Sequence, residues 1–210
     1  MSTAPPSGPT IPHLALVCFV VWLIAVASAD ALGLWIAVGG VGMVLGAVAL
    51  VFDRASSREM LRPKLVFIAL GAAVGGVMAA GTYALYRLLS MVAPFAARDT
   101  AHLYSAFRAP SSTIAAVALT PIILGEELVW RNVVQSALTR RFGVWQGAIL
   151  AAMAYALVLI PLRSPVMLMA ALGCGLVWSG LRACTKSLVP ALVAHLVWDA
   201  IVLIWLPLDG

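Results

Sequence analysis

The chain has 210 residues, of which 63% are hydrophobic and only 10% charged, and its mean hydropathy is +1.06. A soluble domain is about 45–50% apolar and about 25% charged, so a water-soluble globule is excluded and the chain reads as an integral membrane protein. The formal charge of +5 comes from 13 Lys and Arg set in short clusters between apolar runs. That pattern is a topology signal rather than a basic face, and it excludes a nucleic-acid partner.

Residues 1–12, MSTAPPSGPTIP, are rich in Pro and Ser and are expected to form a disordered tail. Residues 13–210 then read as one transmembrane bundle domain. A spanning helix needs about 20 mainly apolar residues. Stretches that meet or approach this run roughly over 14–29, 32–52, 65–90, 111–139, 143–162, 165–183 and 187–206. The expected fold is therefore all-α, a polytopic transmembrane helix bundle with about seven spanning helices. Ala27-Ser28-Ala29 resembles a signal-peptide cleavage site, but no Lys or Arg precedes the first apolar run, so a retained first helix is expected. The stretch PFAARDTAHLYSAFRAP, at 94–110, mixes aromatics with Arg98, Asp99 and Arg108 and reads as an interfacial loop or short surface helix.

With the N-terminus inside, the inner loops hold Arg54, Arg58, Arg62, Lys64, Arg140, Arg141, Arg182 and Lys186. The outer loops hold only Arg87, Arg98, Arg108 and Arg163. The positive-inside rule thus places the N-terminus inside and the C-terminus outside. Small residues recur at the spacing that lets helices approach closely in lipid: Gly42 with Gly46, Gly71 with Gly75, and Gly175 with Ser179. They indicate a compact bundle. The cysteines Cys18, Cys174 and Cys184 lack metal spacing and read as small packing residues.

Charged side chains inside a bilayer cost several kcal/mol each and so require a reason. The fourth apolar segment carries Glu126, Glu127 and Arg131 in GEELVWRN, near its middle. Glu127 and Arg131 are four apart on one helix face and can pair, while Glu126 is rotated by about 100° and is free to point elsewhere. A carboxyl withdrawn from bulk water is the setting in which general acid–base groups are tuned. The last segment supplies His195 and Asp199 in AHLVWDA, again four apart. Asp199 can hold the imidazole in one tautomer, or the two can face a ligand together. Pro121 and Pro190 each precede a polar group by five residues and are expected to kink their helices.

EELVWR resembles the EExxxR motif of the CAAX-protease and bacteriocin-processing family (CPBP or Abi) of intramembrane glutamic endopeptidases. HLVWD resembles that family's closing motif, a His followed four residues later by Asn or Asp. The resemblance covers about residues 65–206. It implies an intramembrane endopeptidase that cuts a peptide bond near the C-terminus or membrane anchor of a protein substrate. By that resemblance Glu126 activates water, Glu127 and Arg131 organise the site, and His195 and Asp199 stabilise the oxyanion or position the substrate carbonyl. No cofactor and no metal are implied. The partners are a membrane-anchored or lipid-proximal protein substrate and the bilayer, and the composition points to a bacterial inner membrane.

The family's middle motif, an aromatic residue followed four later by His, aligns with YALVL and places Tyr155 at the aromatic and Leu159 where His would stand. His13 and His102 are not obvious substitutes. The alternative is a non-catalytic membrane binding or immunity protein that retains the family fold. A zinc site is disfavoured because HExxH is absent, and a proton-coupled transporter because no convincing internal repeat is present.

Overall fold

In the computed structural model, residues 10–52, 54–107 and 112–208 are described. Residues 1–9, most of the expected tail, and Arg108 of the connecting loop lie outside the described residues. The first helix, α1, spans Thr10–Ala27, so it already begins within the stretch read as tail. It is followed by α2 (Trp35–Phe52), the short α3 (Arg54–Met60), α4 (Leu65–Val92) and α5 (Phe95–Ala106). Then come α6 (Thr113–Phe142), α7 (Val144–Leu162), α8 (Pro165–Thr185) and α9 (Val189–Trp205). No strand occurs among the described residues.

Each of the seven apolar stretches carries one of these helices. Five of them (α2, α4, α6, α7 and α8) are long and apolar enough to cross a membrane, whereas Pro12–Ala27 and Val189–Trp205 are apolar but shorter. At about 1.5 Å per residue, the 28 residues of α4 extend beyond a hydrocarbon core about 30 Å thick. The outward surfaces of the bundle carry large apolar side chains such as Leu16, Ile36, Val44, Val66, Val77 and Leu88, as lipid contact requires.

Local sequence sets the boundaries. Lys64 is extended, and α4 starts at the next residue. Gly143, at φ +92°, turns the chain between α6 and α7 in a single residue, a conformation in which any L side chain is strained. Ser164 caps α8 by accepting from the Met167 N–H, with Pro165 in its first turn, where the missing donor costs nothing. Within the stretch 94–110, Phe95–Ala106 form a short helix, α5.

The connections gather at two ends of the bundle. At one end the Met60 carbonyl accepts from Ser187 Oγ (3.0 Å) and from the Leu188 N–H (2.9 Å), and Arg182 Nη2 donates to Ser136 Oγ (2.9 Å). The turns bearing the basic clusters at 54–64, 140–141 and 182–186 therefore meet on one side. At the other end α5 is tied down by three sets of contacts. Asp99 Oδ2 accepts from Ser164 Oγ (2.9 Å) and the Val166 N–H (3.0 Å), the Tyr104 hydroxyl donates to the Val202 carbonyl (2.6 Å), and Trp35 Nε1 donates to the Phe107 carbonyl (2.9 Å). This division is the one an alternating topology dictates.

The small-residue stripes fix the helices that carry the polar groups. Gly42 and Gly46 of α2 lie against Gly125 of α6: a Cβ built at Gly46 would stand 2.5 Å from Gly125 Cα, and one at Gly125 would stand 2.3 Å from the Gly42 carbonyl oxygen. Gly71 and Gly75 of α4 bring that helix onto α9, where added Cβ atoms would meet the carbonyl oxygens of Pro190 and Ala194 at 2.7 Å. Backbone cannot yield as a flexible side chain can. Gly125→Ala should therefore destabilise the protein by at least the roughly 1–3 kcal/mol typical of overpacking. A thermal melt in detergent against Gly173→Ala, where nothing lies within 4 Å of the added atom, checks this.

Candidate active site

The two polar segments converge although they lie on helices far apart in sequence. Glu127 of α6 is fully buried, and its Oε1 lies 2.9 Å from His195 Nδ1 of α9 and 3.3 Å from Arg131 Nη1. The ion pair allowed by the four-residue spacing is formed. His195 Nε2, on the other side of the ring, lies 3.7 Å from Asp199 Oδ2. That is within reach of a charge but beyond a direct hydrogen bond. The hydrogen bond shared by His195 Nδ1 and Glu127 Oε1 fixes the ring's orientation, leaving Nε2 directed towards Asp199.

Glu126 goes a different way, as its 100° rotation requires. It is half-buried, and its Oε2 accepts a hydrogen bond from the Tyr155 hydroxyl of α7 at 3.2 Å. Both Glu126 and His195 line one cavity of about 370 Å³, together with Tyr155, Leu159, Trp178 and Asp199. Glu127 and Arg131 stand behind its wall. One carboxyl thus faces the cavity while its neighbour is locked into the protein.

The aromatic shell is the part that sequence reading did not find. Trp178 of α8 stacks on the His195 ring, with centroids 3.6 Å apart and planes inclined by 21°. The Arg131 guanidinium lies over both Tyr155 (4.8 Å) and Trp178 (5.1 Å). It makes no hydrogen bond from Nε, Nη1 or Nη2, so its charge is balanced by Glu127 and by the faces of two rings. Trp130 meets Tyr155 edge-on at 5.5 Å, and Trp22 of α1 meets Trp130 at 5.6 Å. A Trp in an apolar run has the same signature whether it faces lipid or an imidazole, which is why Trp178 gave no signal.

The expected proline kinks need correction in one case. Pro121 does lie inside a continuous helix, but Pro190 sits in the first turn of α9, where its missing N–H interrupts nothing. The irregularity begins after Glu127 and after Asp199 instead. Immediately past Glu127 the backbone widens to π-helical over Leu128–Val134, and immediately past Asp199 it does so over Ala200–Trp205. Such widened turns shift the angular position of everything that follows and recur at sites of chemistry.

Leu159 follows Tyr155 by one turn, where α7 gives way to a tight 3-10 turn at Ile160–Leu162, and its buried side chain lines the cavity. His102 is exposed on α5 and is not among the cavity-lining residues. The cavity wall away from the polar groups is almost wholly apolar, with Met78, Leu85 and Leu89 of α4, Leu103 of α5 and Val177 of α8. The cavity thus joins an apolar wall to a carboxyl and an imidazole that face the same space.

Residues 107–201, the stretch holding both polar motifs, match the family model described as type II CAAX prenyl endopeptidase Rce1-like. No curated protein and no solved structure matched the chain.

Proposed function

We propose, from the match of residues 107–201 to the Rce1-like family model, that this integral membrane protein is an intramembrane endopeptidase that hydrolyses a peptide bond near the C-terminus or membrane anchor of a protein substrate. The observation that carries the reading is that Glu126 and His195, from different helices, line the same cavity. Glu126 acts as general base and takes a proton from water. The resulting hydroxide attacks the scissile carbonyl, and the proton then passes from Glu126 to the leaving amine.

The oxyanion needs a donor in place before charge develops. With Nδ1–H held by Glu127, the imidazolium form of His195 presents its second N–H, on Nε2, to that oxygen. Asp199, 3.7 Å from Nε2, balances the charge of that form rather than donating. Arg131 Nη1, 3.3 Å from Glu127 Oε1, holds that carboxyl in place. The apolar wall receives the substrate's lipid or transmembrane portion. The end carrying the basic turns faces the inside of the cell, in an inner membrane of bacterial type.

The direct trial uses the purified protein in phospholipid liposomes with two probes, a farnesylated CAAX-type peptide and a single-span peptide with a short C-terminal tail. Mass spectrometry reads the products. Cleavage of either probe supports the reading. Survival of both, in the presence of folded protein, favours a non-catalytic binding or immunity protein instead.

Leu159 provides a gain-of-function prediction. A His at this buried position would present a second imidazole to the cavity that Glu126 lines, so Leu159→His should raise the initial cleavage rate by about tenfold or more. An unchanged rate with an unchanged melting temperature would show that the end of α7 does not reach the reacting centre.

A further inference from the structure

Tyr155 is built into the wall as though its ring position mattered, and its hydroxyl meets one group. The ring is enclosed by Trp130 edge-on at 5.5 Å, by Trp178 at 6.2 Å, and by the Arg131 guanidinium 4.8 Å above its face. From α8 the bare backbone of Gly175 completes the enclosure, since a Cβ there would stand 3.3 Å from Tyr155 Cδ1. Packing alone would be served as well by Phe. The hydroxyl instead donates to Glu126 Oε2 at 3.2 Å, at the edge of the cavity.

Resting on the endopeptidase reading, we infer that Tyr155 is the positioning residue for Glu126: its hydroxyl engages Oε2 and thereby leaves Oε1 as the oxygen that meets water. A Glu side chain has three rotatable bonds, and near-attack geometry tolerates errors of well under 1 Å. Among the described residues that line the cavity, His195 is the one imidazole, and it is already engaged by Glu127. Among the described residues, the Tyr155 hydroxyl is the one hydrogen-bond partner of the Glu126 carboxyl. The caged tyrosine therefore does for the base what Glu127 does for His195. It fixes one oxygen so that the other is presented.

Tyr155→Phe keeps the ring in its cage and removes only the donor. The expected result is a fall in kcat of about ten- to a hundredfold, the worth of one hydrogen bond to a charged group, with KM within about twofold and the melting temperature unchanged. A purely structural hydroxyl would move the melt and not the kcat-to-KM split. A second readout needs no turnover: the infrared band of the Glu126 carboxyl, assigned as the band lost in Glu126→Gln, should shift in Tyr155→Phe. An unaltered kcat together with an unaltered band overturns the assignment. Glu126→Gln is run beside it. If Glu126→Gln abolishes cleavage while Tyr155→Phe cleaves normally, only the role of Tyr155 falls. If Glu126→Gln cleaves normally, the assignment of Glu126 as the base falls, and the infrared shift still decides whether Tyr155 holds Glu126.

Discussion

Replacing Glu127 by Ala should lower the stability of the protein by about 3–5 kcal/mol, the cost of removing one partner from a buried ion pair. Arg131 is 1% exposed and makes no hydrogen bond through any guanidinium nitrogen, so without Glu127 its charge would keep only the faces of Tyr155 and Trp178. His195 would lose its 2.9 Å partner in the same step. The loss should be specific to stranding a charge. The double substitution Glu127→Met, Arg131→Met removes both charges and fills similar volume, so it should regain much of the loss. Denaturation in detergent measures both proteins. Equal destabilisation by the single and double variants would mean that the pair is not what holds this part of the core.

Glu126→Gln has the opposite signature. The side chain is half-buried at the cavity wall, forms no ion pair among the described residues, and its amide oxygen can still accept from the Tyr155 hydroxyl. The variant should therefore fold and melt like the parent. It has lost the basic oxygen, however, and cleavage should drop by about 10²–10⁴-fold, the usual worth of a general base. Two adjacent glutamates thus separate into one whose loss is read in stability and one whose loss is read in rate. The burial difference between them, set by a single 100° step around α6, is the physical cause.

Much of this was legible in the chain because lipid is an undemanding reader. Apolar runs near the thickness of a bilayer must be helices, since no other backbone form satisfies its own polar groups there. The seven stretches therefore reappear as α1, α2, α4, α6, α7, α8 and α9 with small shifts at their ends. Ionisable groups within such runs stand out for the same reason. The glycine pairs were legible as packing, but not which helices they join: that Gly75 opposes Ala194, one residue before His195, is a long-range fact.

The less legible features depend on which face a residue presents to a distant helix. Trp178 under His195, the Arg131 guanidinium between two rings, and Ser164 held by Asp99 involve residues with no local pattern linking them. The π-helical segments after Glu127 and Asp199 were hidden too, because their sequences, LVWRNVV and AIVLIW, contain no Pro or Gly to mark them. Pro190 misled for a complementary reason. A proline five residues before a polar group reads as a kink only if the helix has already begun, and α9 begins at Val189.

The claim that Glu126 delivers water to a peptide carbonyl is tested most directly by single-turnover cleavage of the single-span peptide in water enriched in oxygen-18. One heavy oxygen is expected in the new C-terminal carboxylate, none in the Glu126 side chain, and almost no product from Glu126→Gln. Heavy oxygen in Glu126, or product from Glu126→Gln at the parental rate, would contradict it.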